Sequence, residues 1–261
     1  MITQIITKKL KEFYMKKLIA ASVLGLLLAS SSFAEFALGV RGSLGISNAA
    51  IADDSKDALA TSLAKTLINA GAPYASSSID NKAILCGGFA LYGSYNFDGL
   101  PFLGLQTEVG FLFNNGTKIT GETQSGSVKA EVEDTITYST LEVPFFITFT
   151  VNKGGFFEFT PQAGLYLSFP ISKIKQSLDT KVSVAGNTLL DRSNSREDSL
   201  DNAFILGTAF GADFAFNFSK KSALVLNARY MIDLGELKSN DENLGTRRVF
   251  LMSAGYRYTF R

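Results

Sequence analysis

From Phe36 onward apolar and polar side chains alternate residue by residue in stretches of roughly ten, the period of a strand with one apolar face. Phe36, Leu38, Val40 and Leu44 oppose Arg41, Ser43 and Gly45; Leu85, Phe89, Leu91, Tyr95 and Phe97 oppose Gly88, Ala90, Tyr92 and Ser94. Leu103, Leu105, Val109, Phe111 and Phe113 oppose Gln106, Glu108 and Gly110, and Leu141, Val143, Phe145, Ile147 and Phe149 oppose Thr140, Glu142 and Thr148. The pattern recurs over 157–169, 204–217, 224–230 and 250–260, so eight strands are expected.

The links between them alternate as well. Those around Asp98–Pro101, Val151–Gly155 and Phe218–Lys221 are tight and rich in turn residues, whereas 46–82, 114–135, 170–202 and 232–247 are long. An even strand count with short turns at one end and long loops at the other predicts an all-β, eight-stranded antiparallel up-and-down transmembrane β-barrel, with termini and short turns in the periplasm. A soluble barrel of the lipocalin type would share the strand count and differ in which face points inward. Eight strands enclose a lumen barely wide enough for side chains, which suits the face of Gly, Ser, Thr and charges, while the Phe- and Leu-rich face suits lipid. Aromatics at the strand ends, Phe36, Phe97, Phe149, Phe216, Tyr258 and Phe260 on one side and Phe113, Phe169, Phe204 and Phe250 on the other, are placed as interfacial girdles.

Before the first strand, Met15-Lys16-Lys17 leads into an apolar run from Leu18 to Ser30 and then Ser32-Phe33-Ala34. That order of basic, apolar and small residues predicts a signal peptide over 1–34, with the start at Met1 or Met15 and the barrel over 35–261. The run is too short to span a bilayer as a helix, for which about 20 residues are needed. Removing the leader, which holds five lysines and one glutamate, takes the net charge from +1 to −3.

Composition narrows the chemistry. The 261 residues contain no His and one Cys, which excludes His-based nucleophilic sites, His-ligated metals, an internal disulfide framework and multi-cysteine zinc sites. No catalytic, metal or cofactor-binding residue is expected, and the near-neutral charge does not suit a nucleic-acid partner. Cys86 has inward parity and reads as a small filler.

The terminal Gly255-Tyr256-Arg257-Tyr258-Thr259-Phe260, with Leu141-Glu-Val-Pro144 and Gly164-Leu-Tyr-Leu167, resembles the small bacterial outer-membrane β-barrel superfamily of OmpX-, OmpW- and PorT-like proteins. The resemblance covers essentially the whole mature chain and departs at Arg261, which follows the terminal aromatic. It implies an integral protein of the bacterial outer membrane, in contact with outer-membrane lipid. It also implies insertion by the barrel-assembly machinery, aided by periplasmic chaperones, with Tyr256, Tyr258 and Phe260 as the assembly signal.

Seven charges take inward parity. Arg41, Arg229 and Arg257 fall on strands that become neighbours on closure, and Glu108, Glu142, Glu158 and Asp213 fall on the strands opposite. Charges in so narrow a space must pair or be reached by water. The network is expected either to plug the lumen and fix register or to form a polar seam for a narrow gated path. An acid–base catalytic reading of the carboxylates lacks an adjacent nucleophile.

Specificity is expected in the loops. Asp53 to Gly71 has an acidic start, Leu59, Leu63 and Leu67 on one face and a glycine stop, the signature of a short amphipathic helix. Alternation persists around Gln124-Ser-Gly-Ser127 and Val184-Ala-Gly-Asn187, so these hairpins should extend beyond the membrane and offer strand edges to an extracellular ligand. Three function classes follow. The first is a non-enzymatic surface barrel with an interaction or envelope-structural role. The second is a narrow OmpW-like channel for small hydrophobic molecules, and the third a barrel enzyme, disfavoured by the missing His.

Overall fold

The computed structural model describes residues 35–50, 76–239 and 242–260. The leader 1–34, the amphipathic segment 53–71 and Arg261 lie outside the described residues. Within them are twelve strands: β1 (Glu35–Ala50), β2 (Ser76–Lys82), β3 (Ile84–Phe97), β4 (Leu100–Ser125), β5 (Val128–Phe149), β6 (Phe157–Pro170), β7 (Ile174–Val184), β8 (Asn187–Asp198), β9 (Ile205–Asn217), β10 (Ser222–Asp233), β11 (Leu237–Ser239) and β12 (Glu242–Phe260).

Eight of them close into a ring. Antiparallel ladders run β1–β3, β3–β4, β4–β5, β5–β6, β6–β9, β9–β10 and β10–β12, and the ladder from Phe36↔Phe260 to Ala50↔Thr246 joins β12 back to β1. Closure removes both sheet edges, which satisfies the backbone within the wall. The eight expected strands are these eight, and their facing matches the alternation. Leu44, Leu85, Phe89, Leu91, Ile147 and Met252 stand exposed on the outside, with Leu85 at 75% of its full exposure, while Arg41, Glu108, Glu142 and Asp213 are buried inside. Of the expected girdle, Phe36 and Phe169 are buried where exposure was expected, because Phe36 stacks on Phe260 at 5.8 Å and Phe169 packs against Phe204 at 6.3 Å.

The long links hold the hairpins expected around 124–127 and 184–187, and their strands run further than the residual alternation marked. Segment 114–135 is largely strand, since β4 and β5 run 26 and 22 residues against the roughly ten needed to cross a bilayer. Segment 170–202 holds the β7–β8 hairpin, and β12 begins inside the segment 232–247. Beyond the barrel, β2, β4, β5, β7 and β8 form a five-stranded antiparallel sheet in that order. Its tips are tight turns at Gly126 (φ 58°) and at Ala185–Gly186 (φ 50° and 83°).

Amphipathicity inverts along these strands. On β5 the outward series changes from Ile147, Phe145 and Leu141 to Thr137, Thr135, Glu133, Glu131 and Lys129, with Val143 buried against expectation, while the inward series changes from Glu142 and Thr140 to Tyr138, Ile136, Val132 and Ala130. The switch near Ser139 marks where the lipid-facing belt ends and water begins. On β4 the same level carries a bulge, with a register shift between Leu112 and Asn115 and Asn114 at φ 58°. Gly116 (φ 146°) follows, where a β-carbon would collide with the Ile136 carbonyl, so no side chain fits.

Candidate functional site

The alternation of β1, β4, β5, β6, β9, β10 and β12 aims their odd or even members at one axis, and the charges gather there in three levels. Nearest the short turns, Arg257 Nη2 donates to Glu158 Oε2 at 2.5 Å and to Asn217 Oδ1 at 3.2 Å, while the Gly154 amide of the turn caps Glu158 Oε1 at 2.7 Å. At the middle level Arg229 forks onto both oxygens of Glu108 at 2.9 and 2.6 Å, and Arg41 donates to Glu108 and, at 3.4 Å, to Asp213. Gln106 donates to Glu108 at 2.9 Å and Asn227 to Asp213 at 2.6 Å. A bidentate guanidinium–carboxylate pair is among the stronger fixed contacts available to such a site.

The upper level was not expected from sequence. Arg247, with a fully buried side chain, donates to both oxygens of Asp233 at 3.2 and 3.0 Å and to Glu142 Oε1 at 2.8 Å. Thr140 and Ser168 also donate to Glu142, at 2.6 and 2.9 Å, and the Tyr166 hydroxyl donates to Asp233. Glu142 therefore pairs with Arg247, a residue outside the expected set, and not with Arg41, Arg229 or Arg257. Arg247 shares parity with Ser253 and Arg257, and Asp233 with Asn227 and Arg229, so continuing each strand's alternation would have found both.

Each buried arginine also lies over a ring: Arg41 over Tyr92 at 4.6 Å, Arg229 over Phe146 at 4.5 Å and Arg247 over Tyr166 at 5.9 Å. Two of those rings occupy space left by cross-strand glycines, Tyr92 against Gly39 and Tyr166 against Gly207, where any β-carbon would collide with the ring. The side chains of Arg41, Glu108, Asp213, Arg229, Arg247, Glu142 and Asp233 are all at most 7% exposed. The arrangement can hold strands in register and block the axis; among the described residues no group of side chains suits a metal ion. Cys86 is buried inside, as expected, in an apolar cluster with Leu112, Phe146 and Tyr166. Tyr256, Tyr258 and Phe260 line the outer wall of β12, where Tyr258 meets Phe260 edge-on at 4.9 Å and the Tyr256 and Ser222 hydroxyls are 2.8 Å apart.

The second feature is the protruding sheet. Its outward face is charged, and the register partners Glu122 and Glu131 are both bridged by Lys129, at 3.1 and 2.5 Å. That contact holds the Glu131 carboxyl below the usual carboxylate range. On the inward side Asp134 takes one hydrogen bond from Gln176 at 2.7 Å, and burial raises its carboxyl above the ordinary value. At the end of the sheet β8 pairs only with β7 among the described strands, and it is exposed over nearly its whole length, Leu189 and Leu190 included.

No protein-family model matches the chain, and no curated protein matches it in sequence. Among solved structures it is similar to Neisserial surface protein A, with 12% identity over 86% of this chain and 97% of that one and a TM-score of 0.39. OprG from Pseudomonas aeruginosa gives 10% identity over 89% and 99%, with a TM-score of 0.43. Ail of Yersinia pestis, its attachment invasion locus protein, gives 14% over 88% and 100%, with a TM-score of 0.36. Independently of these likenesses, the closed eight-stranded ring, its apolar belt and its charged interior make the chain a transmembrane barrel of the bacterial outer-membrane type.

Proposed function

We propose that the protein is a non-enzymatic surface barrel whose membrane section anchors a contact sheet, and that β8 takes an extended segment of an extracellular partner as an added strand. One observation carries this reading: a twelve-residue strand stands beyond the lipid belt with one edge paired to β7 and, among the described residues, no strand on the other. Exposed Leu189 and Leu190 beside the tip would add apolar contact to the main-chain bonds. The test selects binders from a random-peptide library against the refolded protein in nanodiscs, then maps them by cross-linking. Peptides of alternating pattern that cross-link to 187–198 support the reading; binders that map only elsewhere overturn it.

The rival reading, a narrow channel for small hydrophobic molecules, has one feature in its favour. The β4–β5 ladder skips Glu108 and Val109 opposite Val143 and Pro144, where proline lacks the amide hydrogen. The arginine levels oppose an axial path, and hydrocarbon uptake by vesicles containing the protein would decide for a lateral one.

A further inference from the structure

The middle of β8, Asp191-Arg192-Ser193-Asn194-Ser195-Arg196-Glu197, is symmetric in charge about Asn194: acid and base, three uncharged residues, then base and acid. All of it is exposed. Because side chains alternate across a strand, the two carboxylates fall on one face of the sheet and the two arginines on the other. The surroundings fix which is which. Asp191 shares a hollow of the outward face with Glu131, Glu133 and Lys181, whereas Arg196 acts electrostatically on the inward-facing Asp134.

On one face β7 already answers these charges. Its Lys181 and Lys175, six residues apart, stand opposite Asp191 and Glu197 in the register. Opposite Arg192 and Arg196 it offers Thr180 and Gln176, which carry no charge. Arg196 turns its Nε to Asp198 at 2.8 Å while its side chain stays 60% exposed, so both arginines present positive charge along the edge that pairs with no strand among the described residues.

We propose that the segment added to β8 is one of inverted charge, Lys-Glu-x-x-x-Glu-Lys, with its acidic residues against Arg192 and Arg196 on the inward face and its lysines against Asp191 and Glu197 on the outward one. This rests on the reading of β8 as a docking edge and names the chemistry of what docks. Opposite charges directly across a strand pair stabilise it and like charges destabilise it. The symmetry about Asn194 makes the required pattern the same for a parallel and an antiparallel segment. A second copy of β8 fits poorly when its charged block overlies the first, since arginine meets arginine and carboxylate meets carboxylate. The edge thus favours a foreign strand over its own kind.

The test is fluorescence anisotropy of two labelled peptides of identical composition, Thr-Lys-Glu-Thr-Val-Thr-Glu-Lys-Thr and its face-exchanged form Thr-Glu-Lys-Thr-Val-Thr-Lys-Glu-Thr. Each is titrated with the refolded protein in phosphatidylcholine nanodiscs and located by photo-cross-linking. The first should cross-link to 187–198, bind about tenfold or more tightly than the second, and lose most of that preference in ~1 M salt, where the screening length is about 3 Å. The variant Asp191→Lys/Arg192→Glu/Arg196→Glu/Glu197→Lys should reverse the order of the two peptides. Equal binding of both at 187–198 overturns the charge pattern and leaves strand addition standing. Binding of neither, or cross-links that fall elsewhere, overturns the charge pattern as well, and the library selection then judges strand addition on its own. Cross-links between two copies of the protein at 187–198 overturn it in favour of self-pairing. Should the fourfold variant fail to fold, the wild-type comparison decides alone.

Discussion

Arg247 has no exposed side-chain surface and faces two carboxylates, so truncating it strands Glu142 and Asp233 in the lumen. Arg247→Leu should lower unfolding stability by about 3–5 kcal/mol, the usual cost of leaving a buried charge uncompensated. Arg257 is part-exposed and serves one carboxylate near the short-turn end, so Arg257→Ala should cost less, about 1–3 kcal/mol. Urea titration of both refolded variants checks the order; equal losses would mean that burial does not set the cost. Gly207→Ala drives a methyl into the fully buried Tyr166 ring and should cost about 1–3 kcal/mol by the same assay.

At the scale of elements, the protruding hairpins carry their own weak point. The Asp134 carboxyl, raised by burial, keeps its proton to a higher pH in the folded hairpin than in the unfolded chain. Its contribution is therefore unfavourable once pH rises through the folded value, and it fades below the ordinary carboxylate value. Asp134→Asn, which keeps an acceptor for Gln176, should slow amide exchange of 128–137 and 174–184 at neutral pH and change it little at acid pH. Slower exchange at both pH values would contradict the burial argument. Replacing 173–199 by a short turn should leave the barrel folded, since β6 pairs directly with β9, and should abolish peptide capture.

The same scale shows what could be read in advance. The eight wall strands and their inward charges were legible because lipid outside and a crowded lumen inside impose a two-residue period. Arg247 and Asp233 were missed because they sit past the level where the outward face turns polar, and there the lipid signal that marks a strand is lost although pairing continues. The β7–β8 hairpin was legible only at its tip, from the alternation around Val184–Asn187, and its full length and its pairing were not. Its outward residues are Lys, Asp and Ser, ordinary loop composition, and the fold of that segment is set by pairing to β5. The charge pairing was legible in kind and not in partner, because register across a lumen depends on stagger that one strand's pattern does not reveal.

For the whole molecule, an apolar belt fixes the barrel in lipid, three levels of guanidinium–carboxylate contacts fill its axis, and the strands continue beyond the belt with their polarity reversed. On the proposed reading, stability resides in the wall and lumen and contact in the sheet. The most direct test is planar-bilayer recording of the refolded 35–261 chain, beside Arg41→Ala/Arg229→Ala, which removes the middle level. A closed axis predicts no unitary current for the wild type at potentials of either sign. Stable conductance steps from the wild-type barrel would contradict it.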